Sequence, residues 1–351
     1  MDVSALPLRR RQFAREFASL VGASLCLTLA PELKAEDADK PAKPPEKPIR
    51  FAWFPRFSYD SKWLLSAHGG WDGNEKGDAV LWEVETGEIK RNMPQPRGLR
   101  TVAWSAKGDF YLAGGYGGYI RIYDGVTGKQ LHELSVGSQI EGLLVTSDDK
   151  HFVSTQGNGN VNLWDAKTRK TLQTWKGLHA NGIWGLALSH DDKMLATAGQ
   201  DGSVQIVDLG TFEILHALKH PRDTNGVAFS RDNRLLLTGC GDSLIRLFDV
   251  KSGKELNQLQ GHTSQTVSDL QFSGDGKLLA SAGGDGTVRL WDFSNPEDPK
   301  LTETLVAHKA SCFGVALSPN GKWLASAGWD NKVNLWDLKT LKQRWSKTRE
   351  D

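Results

Sequence analysis

A fourteen-residue pattern recurs along this chain, and recurrence at a fixed period constrains a fold more than any single motif does. Its clearest copy runs from Leu279 to Asp292, LASAGGDGTVRLWD: a strand end, an Asp-Gly turn and an alternating Thr-Val-Arg-Leu-Trp strand. That order is a β-hairpin signal with its turn chemistry in place. Five other windows match it without gaps, ending at Asp124, Asp165, Asp208, Asp249 and Asp337. A seventh copy, ending at Glu83, matches once six extra residues are allowed in its turn. Successive ends lie 41 to 45 residues apart.

From Arg50 onward each repeat reads as four strands: a run such as VAFS (Val227 to Ser230), a polar turn, the LASAG-like strand, the VRLWD-like strand and a last strand. A small sheet of this kind cannot cover both of its apolar faces, so neighbouring repeats must stack and a ring removes the open ends. At 351 residues the chain could hold two ordinary domains, but the repeat argues for one toroid.

The repeat ends are Trp-Asp at Trp164-Asp165, Trp291-Asp292 and Trp336-Asp337, with Tyr123-Asp124, Val207-Asp208, Phe248-Asp249 and Trp82-Glu83 as variants. Gly261-His262 precedes one repeat, and His179, His220 and His308 hold equivalent places. In these residues the chain resembles the WD-repeat β-propeller family over residues 50–347. The resemblance implies an all-β, seven-bladed propeller of four-stranded antiparallel blades. It also implies a buried network in which His and Asp bond across loops while Ser or Thr meets the Trp indole. Here that means His179, Thr197 and Asp201; His220, Thr238 and Asp242; His262, Ser281, Asp285 and Trp291; and His308, Ser326, Asp330 and Trp336. These are the residue types of a hydrolase triad, yet four copies around a ring argue for structure over catalysis. Gly117 and Asn158 stand where Asp is expected, so the first three blades should deform more easily. Family propellers commonly share a blade between the two chain ends. This chain starts with an inner strand (Phe51 to Ser58) and finishes with an outer one (Gln343 to Lys347), so its seam should be held mainly by packing.

The flanks read differently. In residues 1–35, Arg9, Arg10, Arg11 and Arg15 precede a charge-free run from Phe17 to Ala30 and a small Ala35. That is the pattern of a signal peptide, of Sec or twin-arginine type, and predicts a bacterial protein exported to the periplasm or beyond. The run is short for a membrane span, so no integral span is expected. Residues 36–49 carry Pro41, Pro44, Pro45 and Pro48 among charges and should form an extended tether, while 348–351 are a short tail. Cys240 and Cys312 fall in separate repeats without metal spacing and read as buried thiols.

Candidate chemistry is sparse. Gly114 to Gly118 lacks the Lys-Ser/Thr of a phosphate loop and reads as a hairpin turn. The first-repeat insertion offers Asp72, Asn74 and Asp78 as calcium oxygens, but Lys76 and the spacing favour a solvated turn, so no metal and no cofactor are expected. A net charge of +1 without a basic stripe disfavours nucleic acid. Topology supplies the better lead. In a four-strand meander the second-to-third turns and the inter-blade connections share one rim, here called the second rim. It should carry Trp71, Tyr116 and Trp329 on consecutive blades, with His68 in the insertion and Arg97 and Arg100 in a connection. Exposed aromatics beside arginine are what binding hot spots are made of. The expected function is a non-catalytic scaffold, a monomeric propeller within a complex, holding a protein or peptide on that rim. A carbohydrate or small-ligand receptor using the same aromatics is the alternative, and a propeller enzyme with its site at the channel mouth ranks below it.

Overall fold

The computed structural model describes residues 51–350 apart from 71–74 and 264–265. Trp71, the calcium candidates Asp72 and Asn74, and the expected export signal and tether lie outside the described residues. Among the described residues, twenty-eight strands form seven four-stranded antiparallel sheets, each built from four strands consecutive in the chain. The architecture is a seven-bladed β-propeller.

Within each blade the chain runs from the axis outwards. The first strands, from Phe51–Phe57 in blade one to Cys312–Leu317 in blade seven, lie innermost, each packed against the first strand of the next blade. Outer strands such as Gln130–Ser135 and Lys300–Val306 are largely exposed, whereas second strands such as Leu278–Gly283 are buried along almost their whole length. Both faces of each sheet are apolar, so the core is divided into clusters that lie between neighbouring blades. Ile120 and Ile122 of blade two meet Ile140, Phe152 and Trp164 of blade three. Val288 and Leu290 of blade six meet Val315, Leu324 and Trp336 of blade seven.

The seam between blades seven and one follows the same rule, and among the described residues no strand crosses it. Leu64, Val80 and Trp82 pack on Ala325, Val333 and Leu335, with the Trp82 and Trp345 rings stacked at 6.0 Å. Polar ties cross there as well: Trp345 Nε1 donates to the Val84 carbonyl at 2.8 Å, and the Asn320 amide donates to Ser61 Oγ at 3.1 Å. Asp78 is not in the insertion. It sits buried in the third strand of blade one (Gly77–Glu83), where it pairs with Arg349.

The rim opposite the second rim carries the first-to-second strand turns and is stitched from blade to blade. The Ser147 amide donates to Asp192 at 2.8 Å and the His190 amide to Asn233 at 2.8 Å. Asp192 and Asn233 adopt φ of 55° and 59°, a left-handed conformation that costs a non-glycine residue energy and is offset here by the inter-blade bond. Cys240 and Cys312 are free and buried, and burial pushes the Cys240 thiol up to about 11.

Candidate binding rim

Blades four, six and seven build one kind of buried network. In blade six, Trp291 Nε1 donates to Ser281 Oγ at 2.9 Å, so the serine hydrogen points to His262 Nε2 at 2.8 Å. The imidazole proton then belongs on Nδ1, which faces Asp285 at 3.1 Å. Asp285 also accepts the Thr263 amide at 2.9 Å and the Thr287 hydroxyl at 2.7 Å. Burial pushes its carboxyl up, but these donors reverse the effect and hold it well below the usual carboxylate range. His179 joins Asp201 at 3.1 Å and Thr197 at 2.8 Å, and burial is again outweighed, leaving Asp201 at about 2. His308 joins Asp330 at 2.8 Å and Ser326 at 2.9 Å, although Trp336 Nε1 has no hydrogen-bond partner among the described residues. Thr197, Ser281 and Ser326 are fully buried, so none can meet a substrate.

A glycine makes room for these imidazoles. A Cβ at Gly283 would lie 2.2 Å from His262 Nδ1, and one at Gly199 2.3 Å from His179 Nδ1. Blade one inverts the arrangement. His68 occupies the glycine position itself and bonds Ser66 Oγ at 2.8 Å, while Trp82 Nε1 donates to the same oxygen at 2.8 Å. Its ring is fully buried in the second strand (Trp63–Gly69), so the expectation that His68 stands on the rim is corrected. Aligning it with Gly283 was the signal that could have placed it.

The channel mouth on the second rim is shaped by β-bulges. Every first strand slips register against its second strand by one extra residue, and in five blades that residue is a single unpaired one: Arg100, Glu141, Trp184, Ser268 and Phe313. A bulge re-aims a side chain out of the pleat. Arg100 of blade two thereby lies 4.5 Å from the Trp53 ring of blade one and 5.7 Å from the Trp184 ring of blade four, which places it in the central channel. It pairs with Glu141 at 2.8 Å and donates to the Tyr116 hydroxyl at 3.2 Å. Burial opposes its charge, but Glu141 and Tyr116 outweigh that and raise its pKa. Arg100 is only 5% exposed and sits on the first strand (Leu99–Trp104), not in the connection, so it cannot act as a free surface cation.

The remaining rim residues divide. Tyr116 and Trp184 are half-buried around Arg100. Trp329, also half-buried, packs edge-on against Phe51 at 5.1 Å, beside the stacked Trp53 and Phe313 rings. Arg97 is exposed in the connection between blades one and two. Trp53, Trp184 and Phe313 therefore belong to the mouth as fully as Tyr116 and Trp329 do. Among the described residues no cluster of acids, histidines and thiols could hold a metal ion, and no helix is long and apolar enough to cross a membrane.

Residues 88–124, 253–292 and 299–337 match the family described as WD domain, G-beta repeat. The chain carries WD40 repeats. Each matched stretch is the outer strand of one blade followed by the three inner strands of the next, so a WD40 repeat here straddles two blades. Residues 145–241 also match the Cytochrome D1 heme domain. The five histidines there do not converge on a heme site: His151 starts the second strand of blade three, His179 and His220 lie in blade networks, His190 meets Arg231, and His216 bonds the Lys251 carbonyl. Autophagy-related protein 16 of Arabidopsis thaliana is 22% identical over 49% of this chain and 34% of its own length. The COMPASS component SWD3 of Saccharomyces cerevisiae is 30% identical over 38% of this chain and 43% of its own. Myosin heavy chain kinase C of Dictyostelium discoideum is 30% identical over 34% of this chain and 15% of its own. The chain thus spans less than half the length of these relatives. All three come from eukaryotes and two are named for autophagy and for COMPASS, which overturns the expectation of a protein exported to a periplasm or beyond. The expectation rested on a basic stretch with paired arginines, a charge-free run and a small Ala35, a compositional pattern that many termini share.

Proposed function

We propose that this WD40 propeller is a non-catalytic platform that receives a protein or peptide partner on the second rim. The observation that carries the reading is the cluster at the channel mouth: Tyr116, Trp184 and Trp329, half-buried, around a fixed Arg100. Aromatic rings held rigid by their neighbours offer contact area at little entropic cost, the usual property of interface anchors. The residues with triad chemistry are sealed inside blades, which favours binding over turnover. One relative is named for autophagy and another as a COMPASS component, and a platform role agrees with both names.

The test is affinity capture with the full chain beside a variant carrying Tyr116→Ala, Trp184→Ala and Trp329→Ala. A partner that binds the parent and is lost from a variant of similar melting temperature supports the reading. The same partner retained by both moves the site to the opposite rim or the channel.

A further inference from the structure

We infer that the channel mouth on the opposite rim is a second binding site, built for a small carboxylic acid with an apolar body. The site is independent of the platform reading above. The first strands of blades three to six and Arg56 of blade one enclose a cavity of about 380 Å³ there. A space of that order suits a small ligand. Its walls are apolar where they meet solvent: Leu144, Leu186 and Leu188 line it and are only half-buried.

The polar groups lining this mouth divide by what they have left to offer. Its acceptors are largely spent. Asp269 takes the Leu270 amide at 3.0 Å on one oxygen and the Val315 amide at 3.1 Å on the other, and lies 3.6 Å from Arg56. Asp192 commits one oxygen to both the amide and the hydroxyl of Ser147. Donors remain. Gln271 Oε1 accepts the Leu317 amide at 2.7 Å, which fixes the side chain and leaves its Nε2 hydrogens unused among the described residues. Arg231 donates to His190 Nδ1 at 3.1 Å, so that imidazole is neutral and carries its proton on Nε2, a further donor. Partial burial and the neighbouring charge of Arg231 lower the His190 pKa, which favours the same form. Neither guanidinium is used up. Arg56 gives one N–H to the Pro55 carbonyl at 2.8 Å and faces Asp269 through the same nitrogen, and Arg231 gives one to His190. Among the described residues neither makes another hydrogen bond or ion pair. An occupant must therefore bring acceptors and negative charge. A guanidinium fork matches a carboxylate, and the leucine walls favour an apolar body over a bare inorganic anion. A cationic ligand would meet two arginines with both acids already engaged.

The experiment is calorimetric titration of the full chain with phenylbutyrate, its amide and the corresponding amine, with inorganic phosphate and a peptide ending in phenylalanine as further probes. Arg231→Gln changes an exposed side chain tied only to His190, so the fold should stand. Arg56→Lys keeps a charge near Asp269 and loses the fork. The acid should bind about tenfold or more tightly than the amide or amine, and each substitution should weaken it by about tenfold. The Tyr116→Ala, Trp184→Ala, Trp329→Ala variant should bind the acid as the parent does, which separates this site from the platform. If Arg56→Lys does not fold, the ligand series and Arg231→Gln decide. Equal binding of acid and amide, acid binding unchanged by Arg231→Gln, or no saturable binding of the acid by the parent would each overturn the inference. Loss of the acid in the aromatic variant at an unchanged melting temperature would also overturn it, by moving the acid to the second rim. Displacement of the acid by inorganic phosphate would replace the carboxylate with a phosphate. Tighter binding of the peptide, abolished by amidating its terminus, would replace the small acid with a chain end.

Discussion

Blades five and six carry the same residue types at almost the same spacing and build different networks. In blade six, His262 bridges Ser281 and Asp285. In blade five, His220 reaches Thr238 at 2.8 Å but its Nδ1 has no hydrogen-bond partner among the described residues, and Asp242 turns to Arg246 at 2.5 Å. Three neighbours account for the difference. Pro221 stands where Thr263 donates its amide, and proline has no N–H to give. Leu244 stands where Thr287 offers its hydroxyl. Cys240 stands where Gly283 leaves the imidazole its space. The residues that define a network in sequence are thus not the ones that decide whether it closes.

The largest test of this contrast is the carboxylate. Asp285→Ala strands His262, the Thr263 amide and Thr287 together and should cost about 2–4 kcal/mol, whereas Asp242→Ala should cost about 1 kcal/mol because Arg246 keeps Glu255 nearby. Chemical denaturation of both variants measures this, and equal losses would break the comparison.

The second test is pH. Burial, helped by Arg246, lowers His220 to about 4. Between about 6.5 and that value the unfolded chain binds a proton that the folded blade refuses, so stability is full above about 6.5 and falls as pH drops towards 4, by on the order of 2 kcal/mol. The Asp201 carboxyl, at about 2, acts lower: its contribution is present above about 4 and is lost as pH falls through 2. Melting curves of the parent and His220→Gln across pH 7 to 4 should converge as pH falls; parallel curves would exclude His220 as the source.

Tryptophan replacement sharpens the comparison further. Trp291→Phe loses the bond to Ser281 and should cost about 1 kcal/mol more than Trp336→Phe, whose indole nitrogen has no partner to lose. The smallest effect is expected from repair. Cys240→Gly with Pro221→Thr and Leu244→Thr rebuilds the blade-six surroundings and should gain about 0.5–1 kcal/mol, net of the added freedom of the unfolded chain. A rise of the His220 pKa, followed by NMR titration, would show that the imidazole has turned to Asp242.

Much of the candidate rim was legible as well, though not its detail. Strand order alone puts Tyr116, Trp329 and Arg97 at one end of the blades, because a meander alternates its turns between two rims. Arg100 and His68 escaped that reasoning. A one-residue bulge on the first strand aims Arg100 into the channel, and no composition or spacing marks a bulge. His68 was hidden by its position in a strand instead of the connection where its counterparts lie. Trp184, Trp53 and Phe313 lie far apart in the chain and meet around Arg100 and Trp329 only because ring closure brings their blades to one mouth.

The sequence by itself determined the repeat, its four-strand meander and the number of blades, because strand alternation and Asp-Gly turns are local and recur at one period. Tertiary structure alone decided which imidazole finds its carboxylate and where Arg100 spends its charge. Those outcomes depend on groups some twenty or more residues apart competing for the same few ångströms, and pairing in a buried space is settled by whichever donors the neighbouring blades leave free.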